Sequence, residues 1–100
     1  MGQTKVANKS EVQNGQNKVV NANGKSLAIF NVNGKFYCTD NTCLHRGGPL
    51  GEGTLEGNTI TCPWHGWQYD VTSGECKTAT GLKLKTYNVE VKGEEVFVEL

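Results

Sequence analysis

The sequence predicts an all-β fold, and three observations lead to that prediction. Glycine accounts for 13 of the 100 residues, a proportion that indicates many tight turns. Three Asn-Gly pairs, which begin at Asn14, Asn23 and Asn33, separate short runs rich in β-branched and other apolar residues. No stretch has the apolar spacing of a helix of useful length, and only residues 10–12 are expected to form one short turn.

The first half of the chain predicts a meander of three strands at residues 18–21, 25–31 and 35–40. An Asn-Gly pair accommodates the positive φ angles of a type I′ turn, whose twist matches that of the flanking strands. Apolar residues recur at every second position, and one such set should face a core: Leu27, Ile29, Phe36 and Cys38. The opposite face is also partly apolar, at Ala28, Phe30 and Tyr37.

The last third predicts a long strand over residues 83–92, a turn at Gly93 and a final strand over residues 95–100. In the final strand, Val96, Val98 and Leu100 alternate with Glu95, Phe97 and Glu99, a pattern typical of a half-buried strand. Leu84 is out of phase with the apolar positions of the preceding strand, so we expect a β-bulge near residues 85–86.

Length and charge predict a single domain over residues 1–100 and exclude several classes of partner. The net charge is zero, which argues against nucleic-acid binding. No apolar run approaches the roughly 20 residues that cross a bilayer, and the first ten residues lack the apolar segment of a signal peptide. We therefore expect a cytoplasmic protein with no membrane partner, whose cysteines are metal ligands or buried thiols rather than disulfides.

Residues suited to metal binding concentrate between positions 41 and 81. This segment holds both histidines, both tryptophans, both prolines and three of the four cysteines. Two motifs stand out, Cys43-x-His45 and Cys62-x-x-His65, with sixteen residues between them. Each motif supplies one thiolate and one imidazole from a glycine-bearing loop.

The interval between the two motifs is long enough for a β-hairpin. Its strands are predicted at residues 54–55 and 59–61, around a turn at Gly57 and Asn58. Such a hairpin would bring the two loops side by side, and the four candidate ligands could then bind one metal centre.

Two kinds of metal centre fit two cysteines and two histidines. A tetrahedral zinc site accepts this ligand set, but zinc fingers usually take both cysteines from one element and both histidines from another. A two-iron cluster in which one iron takes both cysteines and the other takes both histidines suits the crosswise arrangement better.

The stretches CLHRGGPL and CPWHGWQYD together resemble the cluster loops of the Rieske [2Fe–2S] proteins. The resemblance implies a [2Fe–2S] cluster with Cys43 and Cys62 on one iron and His45 and His65 on the other. It also implies a sandwich of stacked antiparallel sheets with a small cluster-binding subdomain, at about residues 41–81.

The same stretches indicate a branch of the family. Gly48 and Trp64 stand where cytochrome bc-type Rieske proteins have a pair of disulfide-forming cysteines, and Trp67 stands where those proteins have a serine. Without the serine hydroxyl, fewer hydrogen bonds would stabilise the reduced cluster. We therefore expect a midpoint potential near the bottom of the range of roughly −150 to +300 mV.

The pattern is similar to the ferredoxins of aromatic-ring dioxygenase systems. It implies a one-electron carrier between an NAD(P)H-dependent flavin reductase and a terminal oxygenase, with no small-molecule substrate and no catalysis of its own. One alternative is a small Rieske subunit of an assimilatory nitrite reductase. Others are a zinc-binding structural or interaction module and a redox sensor.

The aromatic residues near the two motifs and the two remaining cysteines are not candidate ligands, and we expect them to have structural or docking roles. Trp67 and Tyr69 are expected to pack beneath the ligand loops, while Trp64 is expected to lie on a rim where a partner docks. Cys38 occupies a core-facing strand position and should be buried. Cys76 follows a turn at residues 73–75, which favours an exposed thiol.

Overall fold

The computed structural model describes residues 3–42, 49–64, 66–79 and 81–99. Within these ranges, the strands run in this order: β1 Gln3–Asn8, β2 Asn17–Ala22, β3 Lys25–Val32, β4 Lys35–Asp40, β5 Thr54–Glu56, β6 Thr59–Thr61, β7 Gln68–Asp70, β8 Thr86–Tyr87, β9 Val89–Lys92 and β10 Glu95–Glu99. Two short 3-10 turns, Lys9–Glu11 and Leu50–Glu52, complete the regular structure of these residues. The first of them lies where the sequence predicted a short turn.

The strands form three antiparallel sheets. A four-stranded sheet has the order β2-β3-β4-β8, and two three-stranded sheets have the orders β1-β10-β9 and β5-β6-β7. The prediction of an all-β fold with stacked antiparallel sheets is confirmed. The proposed boundaries of a cluster-binding subdomain, about 41–81, remain a prediction, and the sheet β5-β6-β7 lies within them.

The four-stranded sheet lies between the other two sheets and contributes side chains to a core on each of its faces. The core shared with the sheet β1-β10-β9, here called the far core, consists of Val12, Val20, Ala22, Leu27, Ile29, Phe36, Cys38, Val96 and Val98. The core shared with the sheet β5-β6-β7, here called the loop-side core, consists of Ala28, Phe30, Leu50, Ile60, Cys62, Tyr69, Val71, Cys76 and Leu84.

Strand β3 is buried on both of its faces, which explains why both faces are apolar in the sequence. Successive side chains of a strand point to opposite faces, so Leu27 and Ile29 enter the far core while Ala28 and Phe30 enter the loop-side core. All four side chains are fully buried. The apolar second face, which the sequence left without a partner, is covered by the sheet β5-β6-β7.

Two of the three Asn-Gly pairs form the predicted turns. Asn23 and Gly24 have φ angles of 51° and 78°, and Asn33 and Gly34 have φ angles of 53° and 88°. Positive φ at both central residues defines the type I′ turn. The pair that begins at Asn14 differs, because only its glycine has a positive φ. The Asn14 side-chain oxygen instead accepts a hydrogen bond from the Asn33 N–H at 2.8 Å.

The predicted strand over residues 83–92 is wrong as a single element. Strand β8 pairs with β4 and strand β9 pairs with β10, so the chain changes sheets at Asn88. Leu84 is out of phase because it packs in the loop-side core, whereas Tyr87 and Val89 pack against the far core. The change of sheets accounts for the phase break that the sequence suggested was a bulge.

Strand β1 was not predicted from the sequence. It pairs with β10 along the edge of its sheet, with an irregularity between Lys5 and Ala7. Its residues show little apolar alternation, and its identity as a strand depends on this pairing. No helix formed by the described residues is long and apolar enough to cross a membrane.

Candidate metal centre

One of the four candidate ligands, Cys62, belongs to the part of the chain that the structure describes. Cys43, His45 and His65 lie outside the described residues. The structure does describe the chain on both sides of each loop, and it therefore shows how the bases of the two ligand loops are built.

The second loop is the connection of the β6–β7 hairpin. Thr61 pairs with Gln68, and the Cys62 N–H donates a hydrogen bond to the Trp67 carbonyl oxygen at 2.7 Å. Gly66 has a φ of +74°, a value that favours glycine. Backbone pairing therefore closes the base of the loop immediately beside the candidate ligand.

The Cys62 side chain points into the protein while the next residues reach the surface. Cys62 is 2% exposed and belongs to the loop-side core, whereas Trp64 is 51% exposed. The Trp64 N–H donates a hydrogen bond to the Cys62 sulfur at 3.4 Å. An N–H dipole directed at sulfur stabilises negative charge there, so this environment suits a thiolate ligand.

Thr42 and Pro49, the residues on either side of the segment 43–48, form an isolated antiparallel bridge. Next to this bridge, the Leu50 N–H donates to the Asn41 carbonyl oxygen at 2.7 Å. The Leu50 side chain is fully buried in the loop-side core. The two ends of the segment 43–48 are thus adjacent and are anchored in the core.

The predicted hairpin between the loops is confirmed. Thr54 pairs with Thr61, and Gly57 has a φ of 60° in the connecting turn. Gly53 lies so close to β6 that a Cβ atom there would overlap the Thr61 carbonyl oxygen. Because Thr61 precedes Cys62, this close approach joins the exit of the first loop to the entrance of the second.

Asn41 is a site residue that sequence reasoning missed. It is 8% exposed, and its side-chain oxygen accepts a hydrogen bond from the Gly51 N–H at 2.7 Å. A polar residue between a strand end and a ligand motif was the available signal. Its partner at position 51 could not be identified from spacing alone.

The expectation that the Cys76 thiol is exposed is wrong. It is 8% exposed, lies in the loop-side core and forms a bridge with Tyr69. The Ala79 N–H donates a hydrogen bond to the Cys76 sulfur at 3.3 Å. The thiol is buried because the chain after the turn folds back along β7, where the Lys77 N–H bonds to the Gln68 carbonyl oxygen at 2.8 Å.

The turn that precedes Cys76 is stabilised by Asp70. Its carboxylate accepts hydrogen bonds from the N–H and the hydroxyl of Thr72 at 2.9 and 2.6 Å. Burial acts to raise the pKa of Asp70, but these hydrogen bonds and the charge of Lys77 outweigh it and lower the pKa. The carboxylate therefore stays ionised at neutral pH.

The aromatic residues and the remaining cysteine lie as the sequence predicted. Tyr69 is fully buried, and Trp67 is partly buried against the same core. Cys38 is buried in the far core and, like Cys76, is not part of a disulfide. Burial, together with the nearby charge of Asp40, raises the pKa of Cys38 to about 12.

Known proteins of one family resemble the chain over most of its length. The family model described as the Rieske [2Fe-2S] domain matches residues 2–88. Ferredoxin CarAc of Metapseudomonas resinovorans is 40% identical over 96 residues, which cover 94% of this chain and 90% of that protein. The ferredoxin component of the naphthalene 1,2-dioxygenase system of Pseudomonas aeruginosa is 37% identical over 91 residues, which cover 90% of this chain and 88% of that protein.

Solved structures of ferredoxins from dioxygenase systems also resemble the chain. The chain is similar to a chain of the complex of reduced oxygenase and oxidized ferredoxin in carbazole 1,9a-dioxygenase, with a TM-score of 0.87 and 38% identity. The match covers 96% of this chain and 91% of that chain. The resemblance inferred from the two ligand motifs is confirmed.

Proposed function

The chain belongs to the Rieske [2Fe–2S] domain family, and we propose that it is a one-electron carrier of a dioxygenase system. In this proposal it receives electrons from an NAD(P)H-dependent flavin reductase and passes them to a terminal oxygenase. The observation that carries the proposal is the 40% identity to Ferredoxin CarAc over nearly the full length of both chains. The similarity to a chain of an oxygenase–ferredoxin complex supports the oxygenase as partner.

A Rieske-type [2Fe–2S] cluster is the cofactor of this family, and the described residues fit it. We assign Cys43 and Cys62 to one iron and His45 and His65 to the other. This set of two thiolates and two imidazoles is the Rieske ligand set. Cys62 agrees with the assignment, because its sulfur is buried and receives the Trp64 N–H. When bound, the cluster supplies a one-electron redox centre.

The surroundings of Cys62 combine a buried residue that would hold the cluster with an exposed neighbour. Backbone pairing beside Cys62 fixes the position of its sulfur, and burial in the loop-side core keeps water from it. Two residues later, Trp64 exposes an aromatic ring at the surface. We therefore place the docking surface for redox partners at the end of the molecule that presents Trp64.

The remaining parts of the proposal follow from the sequence. Residues 1–100 form a single Rieske domain, with its cluster-binding subdomain at about 41–81. The proposed location is the cytoplasm, and the proposed partners include no nucleic acid and no membrane. We expect the isolated chain to turn over no small-molecule substrate, because its role is to transfer electrons between proteins.

The first test is the metal content and the spectrum of the protein. We expect equal amounts of iron and acid-labile sulfide, and an electron paramagnetic resonance spectrum typical of mixed His and Cys ligation after reduction with dithionite. Cys62→Ala, His45→Ala and His65→Ala should each abolish the cluster. Cys76→Ala is the matched control, because it removes a thiol of the same core that is not an assigned ligand, and it should retain the cluster.

Two results would contradict this assignment. One is a colourless protein with one zinc per chain and no sulfide, which would favour the zinc-binding module. The other is a histidine variant with an unchanged spectrum and iron content. Copurification with a large sirohaem protein would favour the nitrite reductase subunit over the dioxygenase ferredoxin.

A further inference from the structure

We propose that Asn41 is the positioning residue of the first ligand loop. Its side chain joins the strand end before the segment 43–48 to the turn after it, and so fixes both ends of the segment that carries Cys43 and His45. The inference rests on the proposed function, because it takes these two residues as cluster ligands.

All the polar groups of Asn41 are used at the base of this loop. Its N–H donates to the Ser26 carbonyl oxygen at 3.1 Å, and its carbonyl oxygen accepts the Leu50 N–H at 2.7 Å. Its side-chain oxygen accepts the Gly51 N–H at 2.7 Å, and its side-chain NH₂ donates to the Ser26 hydroxyl at 3.1 Å. One residue therefore ties β3, the end of β4 and the turn that follows the loop.

The partner at position 51 is shaped to receive this side chain. A Cβ atom on Gly51 would lie 2.5 Å from Val19 Cγ2 and 3.0 Å from the Asn41 side-chain oxygen. The Gly51 carbonyl oxygen in turn accepts a hydrogen bond from the Asn17 side-chain NH₂ at 2.6 Å. Two asparagine side chains thus hold the amide and the carbonyl of one buried residue.

The bases of the two ligand loops differ in how they are closed. The second loop is closed by backbone pairing at Cys62 and Trp67, which a side-chain substitution does not remove. The first loop is closed by backbone bonds and by the Asn41 side chain. Removing that side chain leaves the buried Gly51 N–H without its acceptor, which favours local opening of the loop.

The experiment compares iron release from the holoprotein in the presence of a chelator. We expect Asn41→Ala to release iron about tenfold faster than wild type, the factor that corresponds to about 1.4 kcal/mol for one lost buried hydrogen bond. Asn41→Asp keeps an acceptor for the Gly51 N–H and should restore the slow release. The electron paramagnetic resonance lines of the reduced Asn41→Ala protein should also broaden.

Asn31 provides a matched control. It is 6% exposed, its side-chain NH₂ donates to the Val12 carbonyl oxygen at 2.8 Å, and its side-chain oxygen accepts the Gly34 N–H at 2.8 Å. Asn31→Ala should lower the free energy of unfolding by a similar amount. Its iron release and its spectrum should match those of wild type, because its hydrogen bonds lie at the β3–β4 turn and beside the far core.

The outcomes separate this inference from the proposed function. Equal iron release from Asn41→Ala and Asn31→Ala, at equal losses of stability, would overturn the positioning role and leave the carrier intact. Wild-type protein without iron would overturn both proposals. If Asn41→Ala is not recovered folded, Ser26→Ala removes only the side-chain partner of Asn41. It should release iron a few-fold faster than wild type, and an unchanged rate would overturn the inference.

Discussion

The two cores on either side of the central sheet are built in different ways. The far core is lined mostly by side chains from strands of five to eight residues, and the sheet that covers it brings together β1 and β10 from the two ends of the described chain. The loop-side core is covered by strands of three residues each, and it includes a fully buried tyrosine and two cysteines. The far core thus resembles an ordinary β-sandwich, whereas the loop-side core depends on turns and specific hydrogen bonds.

This difference separates stability from cofactor binding. The assigned ligand Cys62 and the loop anchor Leu50 both belong to the loop-side core, and no described candidate ligand belongs to the far core. We therefore expect substitutions in the far core to change the free energy of unfolding alone. Substitutions of loop-side core residues that directly adjoin a ligand loop, such as Leu50, should change both that free energy and the retention of iron.

The largest effect is expected from a matched pair of leucines. Leu50 and Leu27 are both fully buried, one in each core. Leu50→Ala and Leu27→Ala should each lower the free energy of unfolding by about 2–5 kcal/mol, because each leaves a cavity. In a chelator assay, only Leu50→Ala should lose iron faster at temperatures where both variants remain folded. Equal rates would show that the two cores are not separable in this way.

An intermediate effect is expected from alkaline pH acting on the far core. The Cys38 pKa is raised from 9.0 to about 12 by burial, with a smaller contribution from Asp40. Above pH 9, the thiol of the unfolded chain loses its proton while the buried thiol keeps it. Stability is therefore present in full below pH 9 and declines between about pH 9 and 12, by on the order of 1 kcal/mol per pH unit.

Urea unfolding at several pH values between 8 and about 11 measures this decline. Cys38→Ala should be less stable than wild type at pH 8, because of the cavity, but its alkaline decline should be shallower. The same slope in both proteins would show that other groups cause the decline. We therefore expect this pH dependence to arise in the far core, where no described candidate ligand lies.

The smallest effect on stability is expected from two exposed residues, one in a ligand loop and one in the sheet that covers the far core. Trp64 is 51% exposed in the second ligand loop, and Val91 is 38% exposed on β9, in the sheet that covers the far core. Trp64→Ala and Val91→Ala should each change the free energy of unfolding by about 0.5 kcal/mol or less. Stopped-flow electron transfer to a terminal oxygenase should slow about tenfold for Trp64→Ala, a loss of about 1.4 kcal/mol at a docking residue. Equal rates for the two variants would place the docking surface elsewhere.

The sequence predicted the regular parts of the fold because local rules determine them. Asn23 and Asn33 adopt positive φ ahead of glycine, and the buried Val96 and Val98 alternate with more exposed residues in β10. The family was predictable for a different reason. Two thiols and two imidazoles at this spacing serve few other purposes, so their chemistry identified the family before any contact was known.

The features that could not be predicted from the sequence depend on contacts with residues distant along the chain. Strand β1 is defined by its pairing with β10, and the change of sheets at Asn88 is defined by two different neighbours. Cys76 is buried because the chain folds back along β7. Asn41 acquires its role from a peptide ten residues further along, and no periodicity in the sequence indicates that contact.

The close approach of Gly53 to Thr61 has a consequence for how such chains diverge. The chain that follows the first ligand loop approaches the chain that precedes the second loop at Gly53 and Thr61, next to Cys62 and at the opposite end of the β5–β6 hairpin from its turn. Insertions at the tip of the hairpin would lengthen the interval between the motifs without moving the ligands apart. A search for distant members of this lineage should therefore weight a small residue just before the hairpin above a fixed count of intervening positions.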